Sequence, residues 1–216
     1  ETESESSSQQ HHLFSCVYLS VAASLRGDPP FRHVHVFQRR QDGSVNFTRS
    51  WAEYRDGFGD LTGEFWLGNE KLRQLTAEGH WELLVGLTSE TDPLKFATLY
   101  KSFRITGNNY TLSIATVHSY IADNAGDSLS AHSGQPFSTY DRDNDGEDDI
   151  NCADQCKGGW WFGRCRLYEG DVRSNLNGEY SDAYDWYDTG RGIWWDTVYK
   201  GQIVQCEMKI RRANSH

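Results

Sequence analysis

Hydrophobic and polar residues alternate over short stretches of this chain, as they do in strands with one buried face. The alternation first appears at Val34 to Phe37 (VHVF), and residues 41–43 (QDG) after it are typical of a hairpin turn. Further strands are predicted at 81–87 (WELLVGL), 97–105 (ATLYKSFRI), 110–114 (YTLSI) and 202–210 (QIVQCEMKI). After residue 125 the pattern thins into loops rich in Gly, Asp, Ser and Asn. The chain therefore places a sheet early and a loop-built region late, and binding sites favour such loops on a rigid frame.

Two short helices are predicted between the first strands. Ser50 is a suitable N-cap for a helix through Trp51–Arg55, which ends at Gly57. Asn69 is predicted to cap a second helix over Glu70–Thr76 in the same way. Strands together with a few short helices indicate an α+β domain.

Composition narrows the class of protein and of partner. A chain of 216 residues is long enough for one large domain with a sizeable core. Aromatic residues make up 13% of it while all hydrophobic residues reach only 37%, which favours short strands and long loops. The formal net charge of -10 argues against nucleic acid, whose phosphates need stripes of Lys and Arg. Neutral sugars, cations and basic protein patches are the more natural partners.

The amino terminus differs from the rest of the chain. Residues 1–12 are acidic and rich in Ser, which predicts a disordered tail. The apolar run at 13–25 (LFSCVYLSVAASL) has the length of a signal peptide, but its acidic flank favours a buried first strand. The Arg-Gly-Asp tripeptide at 26–28 matches an integrin-type adhesion motif, although a three-residue match has little specificity. We treat 13–33 as a divergent N-terminal segment.

Alternating carboxylates indicate a cation loop. Asp141, Asp143 and Asp145 recur at every second position, and Gly146 follows at once. Such spacing lets a short loop surround a hard cation with oxygen atoms. The loop is not an EF-hand, because the twelfth position from Asp141 is Cys152, where an EF-hand requires a bidentate Glu. A solvated acidic loop is the blander alternative; the spacing favours a calcium-type site.

Cysteines and sequons point to the outside of the cell. Asn46-Phe-Thr and Asn109-Tyr-Thr are N-glycosylation sequons. Cys152 and Cys165 flank a turn and are able to bridge. With five cysteines in the chain, one is left as a free thiol or as a link to another chain. There is no zinc-type Cys/His spacing and no apolar stretch of about 18 residues that could span a bilayer.

Four segments in order resemble the fibrinogen-related domain, the fibrinogen C-terminal-like family found in ficolins, tachylectins, angiopoietins, tenascins and fibrinogen chains. They are VFQRRQDGSVNFTRSWAEYRDGFGDLTGEFWLGNEKLRQLT (36–76), AGDSLSAHSGQPFSTYDRDND (125–145), SNLNGEY (174–180) and CEMKIRR (206–212). The resemblance covers roughly 34–212 and assigns 34–216 to this domain. It implies a twisted, mainly antiparallel sheet with short helices and a loop-rich calcium- and ligand-binding subdomain. It also implies an extracellular recognition module, not an enzyme.

The resemblance implies calcium as the cofactor of the carboxylate loop. The family's two side-chain ligands correspond to Asp143 and Asp145, and its two backbone carbonyl ligands lie near Glu147 and Asp149. One extra residue stands before Cys152, so the second carbonyl belongs to Asp149 or to Ile150.

The family's ligand pocket lies beside this loop. In the lectin-like members, which bind acetyl groups, a disulfide corresponds to Cys152–Cys165, and the peptide bond before its second cysteine is cis, which here is Arg164–Cys165. This chain departs from the sugar-binding members on the pocket wall. Cys156 stands in place of a Tyr, Arg166 in place of a His, and Thr189 with Gly190 in place of a Tyr-Ala pair. Tyr199 is the candidate for a fourth aromatic residue of the wall.

The replaced wall favours an acidic ligand. The guanidinium of Arg166 suits a carboxylate or sulfate better than a neutral amide. Tyr187, within the aromatic stretch 180–187, is either a rebuilt pocket wall or surface packing. Trp160 and Trp161 are interpreted as structural. Cys16 and Cys206 lie on the first and last apparent strands and are predicted to pair, which leaves Cys156 free.

Two functional classes remain. The first is a calcium-dependent lectin of innate immunity that binds acetylated or anionic glycans of microbes or of the host. The second is a protein-binding module of the angiopoietin or fibrinogen type, with cell-surface proteins as partners. The lost Tyr and His favour the second class, and the lack of an obvious coiled coil mildly favours the first. No hydrolase motif is present, and the oligomeric state stays open.

Overall fold

The computed structural model describes residues 34–89, 95–115, 125–165, 173–180, 190–198 and 203–213. The predictions for the acidic tail, for the apolar run 13–25 and for the Arg-Gly-Asp tripeptide lie outside the described residues. Among the described helices, none is long and apolar enough to cross a membrane.

A six-stranded antiparallel sheet forms the frame of the domain. Its strands span Val34–Arg40 (β1), Phe58–Gly59 (β2), Phe65–Trp66 (β3), Trp81–Ser89 (β4), Lys95–Tyr100 (β5) and Ile203–Arg212 (β10). Their order in the sheet is β2-β3-β1-β10-β4-β5. The strand predicted near the carboxyl terminus is therefore central, since β10 lies between β1 and β4. The residues 34–40 and 203–212 meet there, so both ends of the described chain are fixed in the sheet.

One predicted strand is two strands. Residues predicted as 97–105 divide into β5 and β6 (Phe103–Thr106), and β6 pairs with β7 (Thr111–Ile114) in a separate ribbon. Tyr100 and Phe103 are both buried, with two exposed residues between them. That spacing breaks the period of two that a single strand requires, so the chain changes sheets here. A third ribbon pairs β8 (Ser174–Asn175) with β9 (Trp194–Trp195).

The first predicted helix is confirmed together with its caps. Helix α1 spans Trp51–Asp56, and the side chain of Ser50 accepts from the backbone N–H of Glu53. The Glu53 carboxylate accepts in return from the Ser50 backbone, which completes a capping box. Gly57 ends the helix with φ +96°, and a Cβ there would lie 2.3 Å from the Leu67 carbonyl oxygen.

The second helix forms, but its predicted cap is wrong. Helix α2 spans Asn69–Leu75, and its N-cap is Gly68, which offers no side chain. Asn69 is fully buried, and its Oδ1 accepts from the indole Nε1 of Trp66 at 3.2 Å. The buried indole N–H needs a partner, and it takes the side chain that would otherwise cap the helix.

The predicted hairpin turn is held by a distant carboxylate. β1 pairs with β3 and β10 rather than with the residues that follow the turn. Glu64, fully buried, accepts from the backbone N–H groups of residues 41, 42 and 43 with Oε1 and from that of Val45 with Oε2. Its Oε1 also lies 3.6 Å from Nε of the equally buried Arg40.

Aromatic side chains fill the core around Tyr54. The Tyr54 ring contacts those of Phe58, Trp66 and Phe137 at centroid distances of 5.0 to 5.5 Å. Its hydroxyl donates to the Phe47 carbonyl at 2.7 Å and accepts from the backbone N–H of Gly159 at 3.2 Å. Trp160 and Trp161 are fully buried beside this cluster, as the structural interpretation predicts.

Replacing Glu64 by Gln is expected to destabilise the domain by roughly 3 to 5 kcal/mol, because Arg40 is left as a buried charge without its partner. An amide also loses one of the two acceptors that hold the turn. Urea unfolding at pH 7 measures the change in the free energy of unfolding. Glu78→Gln, at an exposed position, is the control and should stay within about 0.5 kcal/mol of the parent protein. Equal stability of the two variants would refute this role of Glu64.

Candidate functional site

Residues 141–149, here called the cation loop, are built around Asp145. Its carboxylate is half-buried, and it accepts from the backbone N–H of Glu147 (2.9 Å, Oδ1) and of Cys152 (2.8 Å, Oδ2). The neighbouring Asp143 is exposed, and its Oδ1 accepts from the backbone N–H of Asp145 at 3.1 Å. Burial raises the pKa of Asp145 to about 6 against those backbone hydrogen bonds, with a smaller upward contribution from the Asp143 carboxylate. Two carboxylates thus lie next to each other in the middle of the loop.

The first carboxylate of the series has a structural role. Oδ1 of Asp141 accepts from the backbone N–H of Trp51 at 2.8 Å and from the hydroxyl of Thr139 at 2.7 Å. Asp141 therefore anchors the start of α1 to the cation loop.

The loop offers the donors that calcium prefers. Within the described residues, neither Asp143 nor Asp145 forms an ion pair with a Lys or Arg. Two adjacent carboxylates supply hard oxygen donors of the kind that calcium takes. The described residues contain no group of three or more His, Cys, Asp and Glu side chains arranged to hold a metal ion. From the chemistry of these donors, Asp143 and Asp145 fit calcium, and backbone carbonyls and water would complete the site.

The other two predicted metal positions lie farther along the loop. The Glu147 side chain is only 4% exposed, and its Oε1 lies 3.7 Å from Nε of Arg164. Its carboxylate is thus turned to Arg164, and a role of its backbone carbonyl in binding calcium stays a prediction. Asp149 and the alternative Ile150 are both exposed.

Three contacts join the cation loop to the segment 152–165. They are the bond from Cys152 N–H to Asp145, the bond from Gly146 N–H to the Gly163 carbonyl at 2.5 Å, and the Glu147–Arg164 pair. The segment is closed by a disulfide between Cys152 and Cys165, with a Cα–Cα distance of 5.6 Å. This is the bridge that the family resemblance implies.

The peptide bond between Arg164 and Cys165 is trans, as is every peptide bond among the described residues. The predicted cis bond is therefore wrong for this structure. A cis bond before a residue other than proline costs about 3 to 4 kcal/mol, and the trans chain closes the disulfide without it.

The predicted pocket residues fall into different environments. Cys165 is 1% exposed, and Gly190 is buried with φ +69°. The side chain of Arg164 is 65% exposed and is the one described member of the set that faces solvent. Arg166, Tyr187, Thr189 and Tyr199 lie outside the described residues.

The free thiols are core residues. Cys156 is free, as predicted, but it is fully buried, so its thiol does not form an open pocket wall. Cys206 is also free, which contradicts its predicted pairing with Cys16, a residue outside the described ranges. Its sulfur lies 3.5 Å from Nε2 of Gln38 on the inner side of β10. Burial raises the pKa of both thiols to about 12, which keeps them unreactive.

Buried polar residues at 174–178 hold the segment 152–165 in place. This role was not predicted from the sequence. Nδ2 of Asn175 donates to the Cys156 carbonyl at 3.2 Å, and Nδ2 of Asn177 donates to the Gly159 carbonyl at 2.9 Å. Arg40 of β1 donates to the Gly178 carbonyl at 2.7 Å. The two asparagines of SNLNG are the only local signal for this arrangement.

Both sequon asparagines are accessible. Asn46 and Asn109 are exposed. Oδ1 of Asn46 accepts from the Thr48 backbone at 2.8 Å, and Oδ1 of Asn109 accepts from Nη2 of Arg142 at 2.8 Å. Glycosylation at these positions stays a prediction.

The chain belongs to the fibrinogen family: residues 32–213 match the model of the C-terminal globular domain of fibrinogen beta and gamma chains. It is 48% identical to human Ficolin-3 over 168 residues, which cover 73% of this chain and 52% of Ficolin-3. It is 42% identical to Ryncolin-4 of Cerberus rynchops over 188 residues, with 83% and 50% covered. The chain thus spans about half the length of these relatives.

Solved structures show the same fold. The fibrinogen-like globe domain of human ANGPTL2 superposes with a TM-score of 0.72 at 37% identity, covering 88% of this chain and 84% of that domain. The lamprey fibrin D-dimer superposes with a TM-score of 0.66 at 32% identity, covering 84% of this chain and 63% of that one. The α+β fold and the family that the sequence indicates are therefore confirmed.

A buried histidine next to the site provides a pH test. His132 is 2% exposed, and its Nδ1 lies 2.9 Å from the Trp161 carbonyl. Burial lowers its pKa from 6.5 to about 4. The unfolded chain therefore takes up a proton between these values that the folded chain does not, so its contribution to stability is complete above pH 6.5 and falls with the pH. Between pH 7 and pH 5 the loss is about 2 kcal/mol.

His132→Gln is expected to remove this pH dependence, as measured by urea unfolding at pH 7 and pH 5. The raised pKa of Asp145 acts with the opposite sign in the same window, so the difference between parent and variant isolates His132. His80→Gln, at an exposed position, is the matched control. A variant that loses as much stability as the parent between the two pH values would contradict the assignment.

Proposed function

We propose that this domain is a secreted, calcium-dependent lectin that recognises acetylated or anionic glycans in innate immunity. The observation that carries the proposal is the set of three contacts between the cation loop and the disulfide-closed segment 152–165. Through these contacts, an ordered cation loop would fix the position of the segment 152–165. The family's ligand pocket lies at this segment. The resemblance to the lectin-like, acetyl-binding members of the family supports a glycan ligand, and Ficolin-3 is among the similar proteins. The disulfide and the exposed sequons support secretion.

Calcium would be held by the carboxylates of Asp143 and Asp145 and by carbonyls near Glu147 and Asp149. When bound, the ion supplies two positive charges that compensate the adjacent carboxylates. The chain itself holds Asp145 in place through the backbone N–H groups of Glu147 and Cys152. The proposed role is recognition and not catalysis.

The melting temperature of the parent protein is expected to rise with calcium concentration, because the ion binds the native state. At 100 times Kd the stabilisation is about 2.7 kcal/mol. Differential scanning calorimetry with calcium and with a chelator measures it. Asp143→Asn/Asp145→Asn should show no such rise, whereas Asp148→Asn, an exposed change in the same loop, should retain it. A double variant that still responds to calcium would rule out these ligands.

The ligand is expected to carry negative charge. Arg164 exposes a guanidinium beside the disulfide, and Arg166 follows it in the sequence. On a glycan array with calcium, sialylated or sulfated sugars should bind more tightly than neutral N-acetyl sugars, and added salt should weaken them. Arg166→Ala should lower this affinity roughly tenfold or more, while Arg55→Ala, on α1, should not. Equal binding of neutral and anionic sugars, unchanged in Arg166→Ala, would exclude the anionic ligand.

Protein recognition is a second candidate, favoured by two exposed apolar side chains at the ends of the cation loop. Tyr140 is 46% exposed and Ile150 40% exposed. Asn151 brings the two ends together, since its Nδ2 donates to the Thr139 carbonyl at 3.1 Å and to the Tyr140 carbonyl at 3.3 Å. Exposed aromatic residues of this kind are typical anchors of protein interfaces. The similar lamprey fibrin D-dimer was solved with the peptide ligand Gly-His-Arg-Pro-amide.

Binding of the labelled domain to cultured cells separates the two candidates. A lectin should lose binding when cell-surface glycans are removed enzymatically, and Tyr140→Ala/Ile150→Ala should have little effect. A protein-binding module should keep its binding after that treatment and lose it in the double variant. Leu61→Ala, which truncates a side chain that is 51% exposed elsewhere on the domain, is the matched control.

A further inference from the structure

We propose that the Glu147–Arg164 ion pair sets the calcium affinity of the cation loop, with Arg164 lowering it and Glu147 raising it. The inference rests on the proposed calcium site and concerns two side chains that are not themselves its side-chain ligands. It follows from where their charges lie and from how firmly they are held.

Glu147 differs from the other acidic residues after Asp145 in the loop. Asp148 and Asp149 are exposed, whereas the Glu147 side chain is 4% exposed and lies with Oε1 3.7 Å from Nε of Arg164. The pair joins a carboxylate of the cation loop to a cation outside it. A carboxylate so removed from water requires a positive partner.

The pair lies close to the proposed metal ligands. The Glu147 backbone N–H donates to Asp145 Oδ1 at 2.9 Å. The residue before Arg164 also contacts the loop, since the Gly163 carbonyl accepts a hydrogen bond from the backbone N–H of Gly146 at 2.5 Å. Nε of Arg164 lies 3.7 Å from the Glu147 carboxylate. The Glu147 side chain spans only a few bonds from its own backbone N–H, so its carboxylate lies within roughly 10 Å of Asp145. That is about one Debye length at 0.1 M salt, so screening between them is incomplete.

The two charges act on a cation with opposite signs. Without the guanidinium the site loses a positive charge and calcium binds more tightly. Without the carboxylate it loses a negative charge and calcium binds more weakly. For a divalent ion about 8 Å from a unit charge in a water-like dielectric, the effect is on the order of fivefold in Kd.

The pair would also couple calcium to an anionic ligand. A carboxylate or sulfate that binds the exposed face of Arg164 compensates its charge, and calcium affinity then rises. By linkage, calcium raises the affinity for that ligand by the same factor. Calcium dependence of ligand binding then needs no rearrangement of the fold.

Isothermal titration calorimetry with calcium alone tests the proposal. Arg164→Gln should tighten Kd by about threefold to tenfold, Glu147→Gln should weaken it by a similar factor, and the double variant should return near the parent value. Arg164→Lys keeps the charge and should change little. The differences should shrink at 0.5 M salt. Arg55→Gln, at an arginine bonded to Asp56 on α1, is the control and should have no effect.

The outcomes are distinct. A parent protein that binds no calcium would refute both the proposed function and this inference. Calcium binding that depends on Asp143 and Asp145 but is unchanged in Arg164→Gln and Glu147→Gln would leave the function standing and overturn the inference alone. Equal losses in Arg164→Gln, Arg164→Lys and Glu147→Gln would point to a packing role and overturn it as well.

Discussion

The contacts of the buried Glu64 carboxylate, with the 41–45 turn and with Arg40, are the interactions on which the rest of the domain depends. Burial by itself raises the pKa of this group, but backbone N–H donors from the 41–45 turn and the guanidinium of Arg40 outweigh it, so the pKa lies below its usual range. A charge hidden from water is tolerated only with such partners. By holding the turn, Glu64 fixes the end of β1 and the position of Arg40.

Arg40 carries this order from the sheet towards the site. Its guanidinium binds the Gly178 carbonyl, and the neighbouring Asn177 and Asn175 bind carbonyls of the segment that contains Cys156 and Gly159. A series of buried hydrogen bonds thus connects the central sheet with the disulfide-closed segment. Because each donor is buried, the loss of one partner leaves an unsatisfied group and costs about 1 to 3 kcal/mol.

The carboxylates of the acidic loop have different roles. Asp141 anchors α1 and Glu147 pairs with Arg164, whereas Asp143 and Asp145 are the proposed calcium ligands. Net negative charge therefore gives little information about how many ligands a loop offers. Asp145, one of the two proposed calcium ligands, also accepts from the backbone N–H of Cys152. The proposed metal site is therefore connected directly to the disulfide-closed segment 152–165.

The sequence by itself determined the features that depend on local pattern. The capping box of Ser50 and Glu53, the alternating strands and the carboxylate spacing are all readable within a few residues, and ordered motifs identified the family. Only the tertiary structure decided that Asn69 serves Trp66 instead of the helix, that Cys156 and Cys206 are buried, and that Glu64 holds a turn some twenty residues away. These roles depend on partners far apart in the chain, and a buried polar group is assigned by whichever donor or acceptor the fold brings to it.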